Sequence, residues 1–472
     1  MSERDDQEQD RERGDGQRGR LGRRGVLKAG LAAGAVVGTG AWRAAPGGSP
    51  LRQPGSLPFP KLAAGTDTIP QIEHIVVLMM ENHSFDNRVG MLRRPGVDGF
   101  RPGRDGLPTA TNPYGNGQIQ HAFRMPTTCQ LSSRPSQEWT ASHNAYDNGR
   151  MDGFVSTPID PLTTETVGAV AMGYWQQEDQ PFYYSVYGQF PIADRYFCSV
   201  MGQTFPNRRY LLAATSIGQI DDTTPNPTDY PANGTIFDQL DAHGVTWKDY
   251  FTTTASVGLF PPLLSNQGTK VVPISDFFSD AAAGTLPNYS LVEPNYGTQS
   301  EENPQNIAVG EEFAASVINA VINGPGWDRT ALVLTYDEHG GYYDHVPPPA
   351  AVAPDSIGPA VVSGENAFDG FRRYGFRVPF ALVSPWARQH FVSHEVYDHT
   401  SILKLVETKW NLPALTFRDA NATAMLDMLD LRRPSFAEPP QFSEPLAVTD
   451  PSALSCSVTG PGTIPPPGSV TG

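Results

Sequence analysis

Two short apolar runs, residues 72–80 and 331–336, constrain this chain more than any other feature, because each ends directly on a pair of oxygen-bearing side chains. At nine and six residues they suit strands buried on both faces and are short for helices. Helical spacing lies between such runs. Ile307, Phe313, Val317, Ile318, Val321 and Ile322 recur along one face of residues 305–323, which stop at Gly324-Pro325 and lead into the second run. Residues 235–243, Gly244 and 245–251 repeat the order helix, glycine stop, strand; 378–384 and 400–410 add another strand and helix. Alternation of this kind predicts an α/β fold, a three-layer αβα sandwich with a largely parallel central sheet.

Composition narrows the class of partner. The formal charge is −16, and residues 1–45 hold nine Lys/Arg against seven Asp/Glu, so the remainder carries about −18. A nucleic-acid backbone is met by basic stripes, so no nucleic-acid partner is expected. A small phosphate ester feels only the local field of its pocket and remains compatible. The 46 Gly and 44 Pro predict long, shaped loops between elements. Cys129, Cys198 and Cys456 allow at most one disulfide, and both a bridge and three buried thiols stay open.

Arg23-Arg24 precedes an apolar Gly/Ala-rich stretch over residues 29–41 with small residues at its exit. Charge, apolar run and exit in that order predict a twin-arginine export signal over residues 1–45. The twin-arginine translocon is then a partner, and the location is secreted or cell envelope. The stretch is shorter than the roughly 20 residues a bilayer span needs. Residues 46–70 read as a Pro/Gly-rich linker, 71–434 as one folded body, and 435–472, with Pro465-Pro466-Pro467, as a Pro-rich tail.

Ligands of parallel α/β sheets gather at the carboxyl ends of strands. Glu81-Asn82 follow the first apolar run and Asp337-Glu338 the second. Either pair alone would read as ordinary turn or cap groups. Together, Glu81, Asn82, Asp337 and Glu338 predict a site for one divalent cation. Their hard oxygen donors put Ca²⁺ first, with Mg²⁺, Mn²⁺ and Zn²⁺ as alternatives. Thr204 stands just before Pro206, an expected first-turn helical residue, so helix N–H groups and the helix dipole would face whatever binds there. Locally, two roles for Thr204 stay open: a nucleophile activated by the cation, or a helix cap.

Taken in order, Glu81-Asn82-His83-Ser84-Phe85-Asp86, Thr204-x-Pro206-Asn207-Arg208 and Asp337-Glu338-His339-Gly340-Gly341-Tyr342-Tyr343-Asp344-His345 resemble the bacterial phosphoesterase family of non-haemolytic phospholipases C and acid phosphatases. Matching motifs at residues 149–154 and 397–403 extend the resemblance over about residues 72–412, with departures at His83 and Asn87. The resemblance implies an alkaline-phosphatase-like catalytic domain over 71–434, a cation on the four residues named above, and Thr204 as a nucleophile whose phosphothreonine is hydrolysed by water. Among the histidines of the matching motifs, His143 or His345 is the expected proton donor to the leaving group, and Asn207, Arg208 and His399 are the expected substrate contacts. Threonine cannot become the aldehyde that sulfatases use, which favours phosphate over sulfate.

The expected activity is phospholipase C-type cleavage of a phosphodiester such as phosphatidylcholine, a phospholipid met at a membrane surface. Tyr174, Trp175, Phe182, Tyr183 and Tyr184 would form an apolar mouth for it, or else belong to the core. A broad acid phosphatase is the alternative, since residues 435–472 are expected to form a Pro-rich tail rather than the C-terminal β-domains that the resemblance implies for longer members. A catalytically silent cell-surface binding protein is a third reading, opposed by intact Glu81, Asn82, Thr204, Asp337 and Glu338.

Overall fold

His74–Met80 and Thr330–Tyr336 bury every side chain, as strands without polar alternation must when helices cover both faces of their sheet. The computed structural model describes residues 50–471 except 116, 130–134, 158–167, 362–365, 450–455 and 457–463. The export signal expected over 1–45 lies outside the described residues.

Eight strands build the central sheet: β1 (His74–Met80), β2 (Ile192–Ala193), β3 (Trp247–Phe251), β4 (Val271–Pro273), β5 (Tyr289–Val292), β6 (Thr330–Tyr336), β7 (Phe380–Val383) and β8 (Val392–Ser393). Their spatial order is β8-β2-β7-β6-β1-β5-β3-β4. All run in one direction except β7, which is antiparallel to both neighbours. A parallel return needs a crossover element, and the described residues between β6 and β7 contain no helix, so the chain comes back the other way.

The helices that matter for the site are α1 (Phe85–Val89), α2 (Trp139–Tyr146), α3 (Pro181–Gln189), α4 (Thr204–Ala213), α5 (Ile236–Ala242), α6 (Ile274–Ala283), α7 (Ile307–Ile322) and α8 (His399–Trp410). In one layer α3 and α6 pack against α7; in the other α5 and α8 pack against α4. The three-layer α/β expectation therefore holds. Asn306 caps α7 through Ala308 N–H, and Thr235 and Asp238 form a capping box on α5.

Trp175 and Tyr183 are completely buried and Tyr174, Phe182 and Tyr184 nearly so. Tyr174, Trp175, Phe182 and Tyr183 belong to the core, whereas Tyr184 lines an open surface pocket. Residues 50–70 carry no regular element but are tied to the end of α8: Thr68 N–H donates to Lys409 O (2.7 Å), and Asn411 binds Phe59 through both N–H and carbonyl. Beyond residue 434, Phe436 accepts from Trp327 Nε1 (3.0 Å) and Phe442 packs on Phe182. Cys129 and Cys456 form the disulfide, leaving Cys198 a buried thiol.

Candidate active site

Parallel pairing in which Met80 lies opposite Tyr336 sets the next residues of both strands side by side, so Glu81-Asn82 meet Asp337-Glu338. Backbone bonds lock the junction. Asp337 N–H donates to Met80 O (3.1 Å), while Asp337 Oδ1 accepts from the N–H groups of Asn82 (3.2 Å) and Glu338 (2.7 Å). Asn82 adopts φ +64°, a left-handed conformation that asparagine tolerates better than most residues.

All four side chains are buried, yet Glu81 Oε2, both polar atoms of the Asn82 carboxamide and Glu338 Oε1 have no hydrogen-bond partner. Burial pushes the carboxyls of Glu81, Asp337 and Glu338 up, and the charge of Asp337 adds to the rise at Glu81 and Glu338. Orphaned oxygens on mutually repelling, desolvated acids are a cost that a hard divalent cation removes, so this donor set fits one.

A second grouping offers three ligand atoms within 4.8 Å of one another: Asp86, Asp344 and His345. Here the donors are already used. Arg377 binds Asp86 Oδ1 (3.1 Å) and Asp344 Oδ1 (2.9 Å), and His345 Nδ1 lies 2.6 Å from Asp86 Oδ2. Both groupings hold a guanidinium, Arg377 here and Arg208 in the first, so what distinguishes the first is that oxygens of Glu81, Asn82 and Glu338 are left unpartnered.

Helix α4 starts at Thr204 itself. Gln203 is the N-cap and makes no side-chain cap bond, which removes the capping role for Thr204. Thr204 is half-buried, and its hydroxyl makes no hydrogen bond among the described residues. The helix start offers fewer anion donors than expected, because Pro206 has no N–H and Phe205 N–H is taken by Asp222 Oδ1 (2.7 Å).

Asn207 and Arg208, expected to contact substrate, are committed elsewhere. Asn207 closes the preceding loop, accepting from Val200 N–H (3.0 Å) and donating to Gly202 O and Gln203 O (3.0 Å each). Arg208 is buried as counter-charge to the acids, 3.1 Å from Asp337, 3.3 Å from Glu293 and 3.7 Å from Glu81. His399 is equally engaged, with Nε2 on Asp337 O (2.7 Å) and Nδ1 on Tyr196 OH (3.1 Å). It steadies the strand end that presents Asp337.

The two candidate proton donors make none of their hydrogen bonds inside this cluster. His345 is clamped between Asp86 and Asp98 (Nε2 to Oδ1, 3.2 Å). Burial lowers its pKa, but the Asp86 charge and bond outweigh that and raise it to about 9, which fixes it as an imidazolium. His143 has the opposite character. Burial lowers its pKa to about 4, and Nδ1 lies 2.7 Å from Trp139 O, so the neutral ring donates there and keeps Nε2 as an acceptor.

His143 lines an open cleft of about 870 Å³ with Tyr146, Asp147, Asp152, Phe368 and Asp369, and Phe368 stacks on His143 at 4.0 Å. Met201 lines it too, three residues before Thr204, so the cleft wall lies within roughly 10 Å of the Thr204 backbone.

Sequence reasoning missed Glu293 and Asp222. Glu293 directly follows β5 just as Glu81 and Asp337 follow their strands, so the same rule would have found it had the four-residue run been recognised. Asp222 has no local signal, because it reaches α4 only through the fold.

Residues 72–413 match the model of the Phosphoesterase family. Non-specific phospholipase C1 of Arabidopsis thaliana is 31% identical over 383 residues, covering 74% of this chain and 69% of that protein. Phospholipase C B of Mycobacterium tuberculosis is 29% identical over 415 residues, covering 77% and 78%. A protein in the alkaline phosphatase superfamily from Vibrio parahaemolyticus, of known crystal structure, is 12% identical with a TM-score of 0.35 over 66% of this chain and 76% of that one, a likeness that carries no argument.

Proposed function

We propose, from the premise that this chain belongs to the Phosphoesterase family and is a phosphoric ester hydrolase, that it is an exported phospholipase C-type enzyme. Its substrate is the head-group phosphodiester of phosphatidylcholine or a related phospholipid, attacked by Thr204. The observation that carries this reading is the match of residues 72–413 to the Phosphoesterase family. The cleft lined by His143 does not choose the head group, because Arg373 covers the Tyr146 ring and pairs with Asp369, and Arg150 pairs with Asp147 and Asp152. The names of the relatives support the same substrate class.

Glu81, Asn82, Asp337 and Glu338 would hold a divalent cation, Ca²⁺ first among the candidates, which supplies a Lewis acid for the phosphoryl oxygens. The residues of the chain do the rest. Thr204, free of capping, attacks phosphorus and displaces diacylglycerol; the head group stays on the phosphothreonine until water releases it. Asn207 holds the loop that carries Thr204, and Arg208 balances the acids without reaching for phosphate. His143, neutral with its acceptor nitrogen free, suits withdrawing a proton from the incoming water better than protonating a leaving group. Arg23-Arg24 and the apolar stretch after it support export, as does a disulfide, which persists in oxidising compartments. No helix among the described residues is long and apolar enough to cross a membrane.

One panel tests the reading: an aryl phosphorylcholine diester, phosphatidylcholine vesicles and a simple aryl phosphate, each with and without chelator. Both choline substrates should turn over, and chelation should abolish this until metal is restored. Thr204→Ala should lose at least about a thousand-fold while retaining metal. Fast hydrolysis of the monoester with vesicles untouched would overturn it in favour of an acid phosphatase.

A further inference from the structure

Thr204 is straddled by one residue from outside its helix. Phe205 N–H donates to Asp222 Oδ1 (2.7 Å), and Asp222 N–H donates to Gln203 Oε1 (3.2 Å), so Asp222 is bonded to the residue before the proposed nucleophile and to the one after it. Four bonds separate the Thr204 hydroxyl oxygen from the Phe205 nitrogen, an extended reach of roughly 5 Å, so that hydroxyl and the bonded Asp222 oxygen lie within about 8 Å of each other. One rotation about the Thr204 side chain or one water closes such a gap. Oδ1 is spent on the backbone, while Asp222 Oδ2 and Thr204 Oγ1 make no hydrogen bond among the described residues.

We propose that Asp222 is the base that receives the Thr204 hydroxyl proton as the oxygen attacks phosphorus. The inference rests on Thr204 being the nucleophile. In the first step the Thr204 O–H bond breaks as its proton moves to Asp222, the Oγ1–P bond forms, and the bond from phosphorus to the diacylglycerol oxygen breaks, that alkoxide taking a proton from solvent. In the second step water adds its hydroxide to phosphorus and gives its proton to His143, which passes it to solvent. The P–Oγ1 bond breaks, and the proton on Asp222 returns to Thr204. Atoms and charge close over the cycle.

The surroundings suit the role. Burial pushes the Asp222 carboxyl up, the Phe205 N–H opposes this, and the charges of Asp337, Glu302 and Asp221 add to the rise, to about 7. Glu338 also faces it. A base is most effective when its pKa lies near the working pH.

Asp222→Asn keeps an oxygen for Phe205 N–H but cannot take a proton; Asp222→Ala loses both functions. With the aryl phosphorylcholine diester, acid-quenched phosphothreonine formation should fall in Asp222→Asn by about 100-fold or more, nearly as far as in Asp222→Ala. Metal content and melting temperature of Asp222→Asn should stay at wild-type values. Asp222→Asn within about three-fold of wild type, with Thr204→Ala inactive, would assign Asp222 to helix positioning alone and overturn the inference while leaving the nucleophile in place. An active Thr204→Ala would instead remove the nucleophile itself. Should the variants not fold, the wild-type phosphorylation rate decides: it should rise with pH through one ionisation near 7, and a flat rate from about pH 5 to 9 overturns the proposal.

Discussion

A Cβ added at Gly340 would lie 1.9 Å from Asn82 O, and Gly340 has φ +63°, so only glycine lets these two strand ends approach as they do. Gly340→Ala should therefore push Asn82 away from Asp337, cost about 1–3 kcal/mol of stability and weaken metal binding. Isothermal titration with the cation measures the second effect, and wild-type affinity would refute the argument. His345 gives a pH prediction. Its folded-state pKa of about 9 lies above the ordinary 6.5, so the stabilisation from the Asp86–His345–Asp98 clamp is complete below pH 6.5 and is lost as pH rises through 9. The shift corresponds to about 3 kcal/mol. Urea midpoints at several pH values should fall over that window in wild type and stay level in His345→Gln.

Helix α4 presents Thr204, Asn207 and Arg208 at i, i+3 and i+4, one face of its first turn, and each does a separate task. The motif was readable locally, but a buried arginine beside acids and a surface arginine beside phosphate have the same neighbours in sequence. The difference comes from β5, whose pairing with β1 brings Glu293 up beside Arg208. Arg208→Met should consequently leave Asp337, Glu293 and Glu81 uncompensated and cost about 3–5 kcal/mol in metal-free protein, with part of the loss recovered on adding cation. A phosphate-binding arginine would instead raise KM and leave the melting temperature alone, so thermal melts with and without metal separate the two.

Across the whole molecule, Cys129–Cys456 joins residues 327 apart, and residues 50–70 bond to the end of α8. Cys129→Ser should cost about 2–4 kcal/mol by freeing the unfolded chain. Thiol titration of unfolded, unreduced protein should find one thiol in wild type, Cys198, and two in the variant. Equal counts would dissolve the pairing.

Local pattern was enough for the long strands, the glycine helix stops and the acids at strand ends, because apolar periodicity and stop signals are written in adjacent residues. The same pattern could not say that β7 runs backwards, that the aromatics around Tyr183 are core, or that Arg208 and His399 face inward onto Asp337. Nor could it bring Asp222 to Thr204 or choose the cysteine pair. Those outcomes depend on register and on contacts between distant segments. Many arrangements satisfy one local pattern, and the packed fold selects the one that pairs its buried charges.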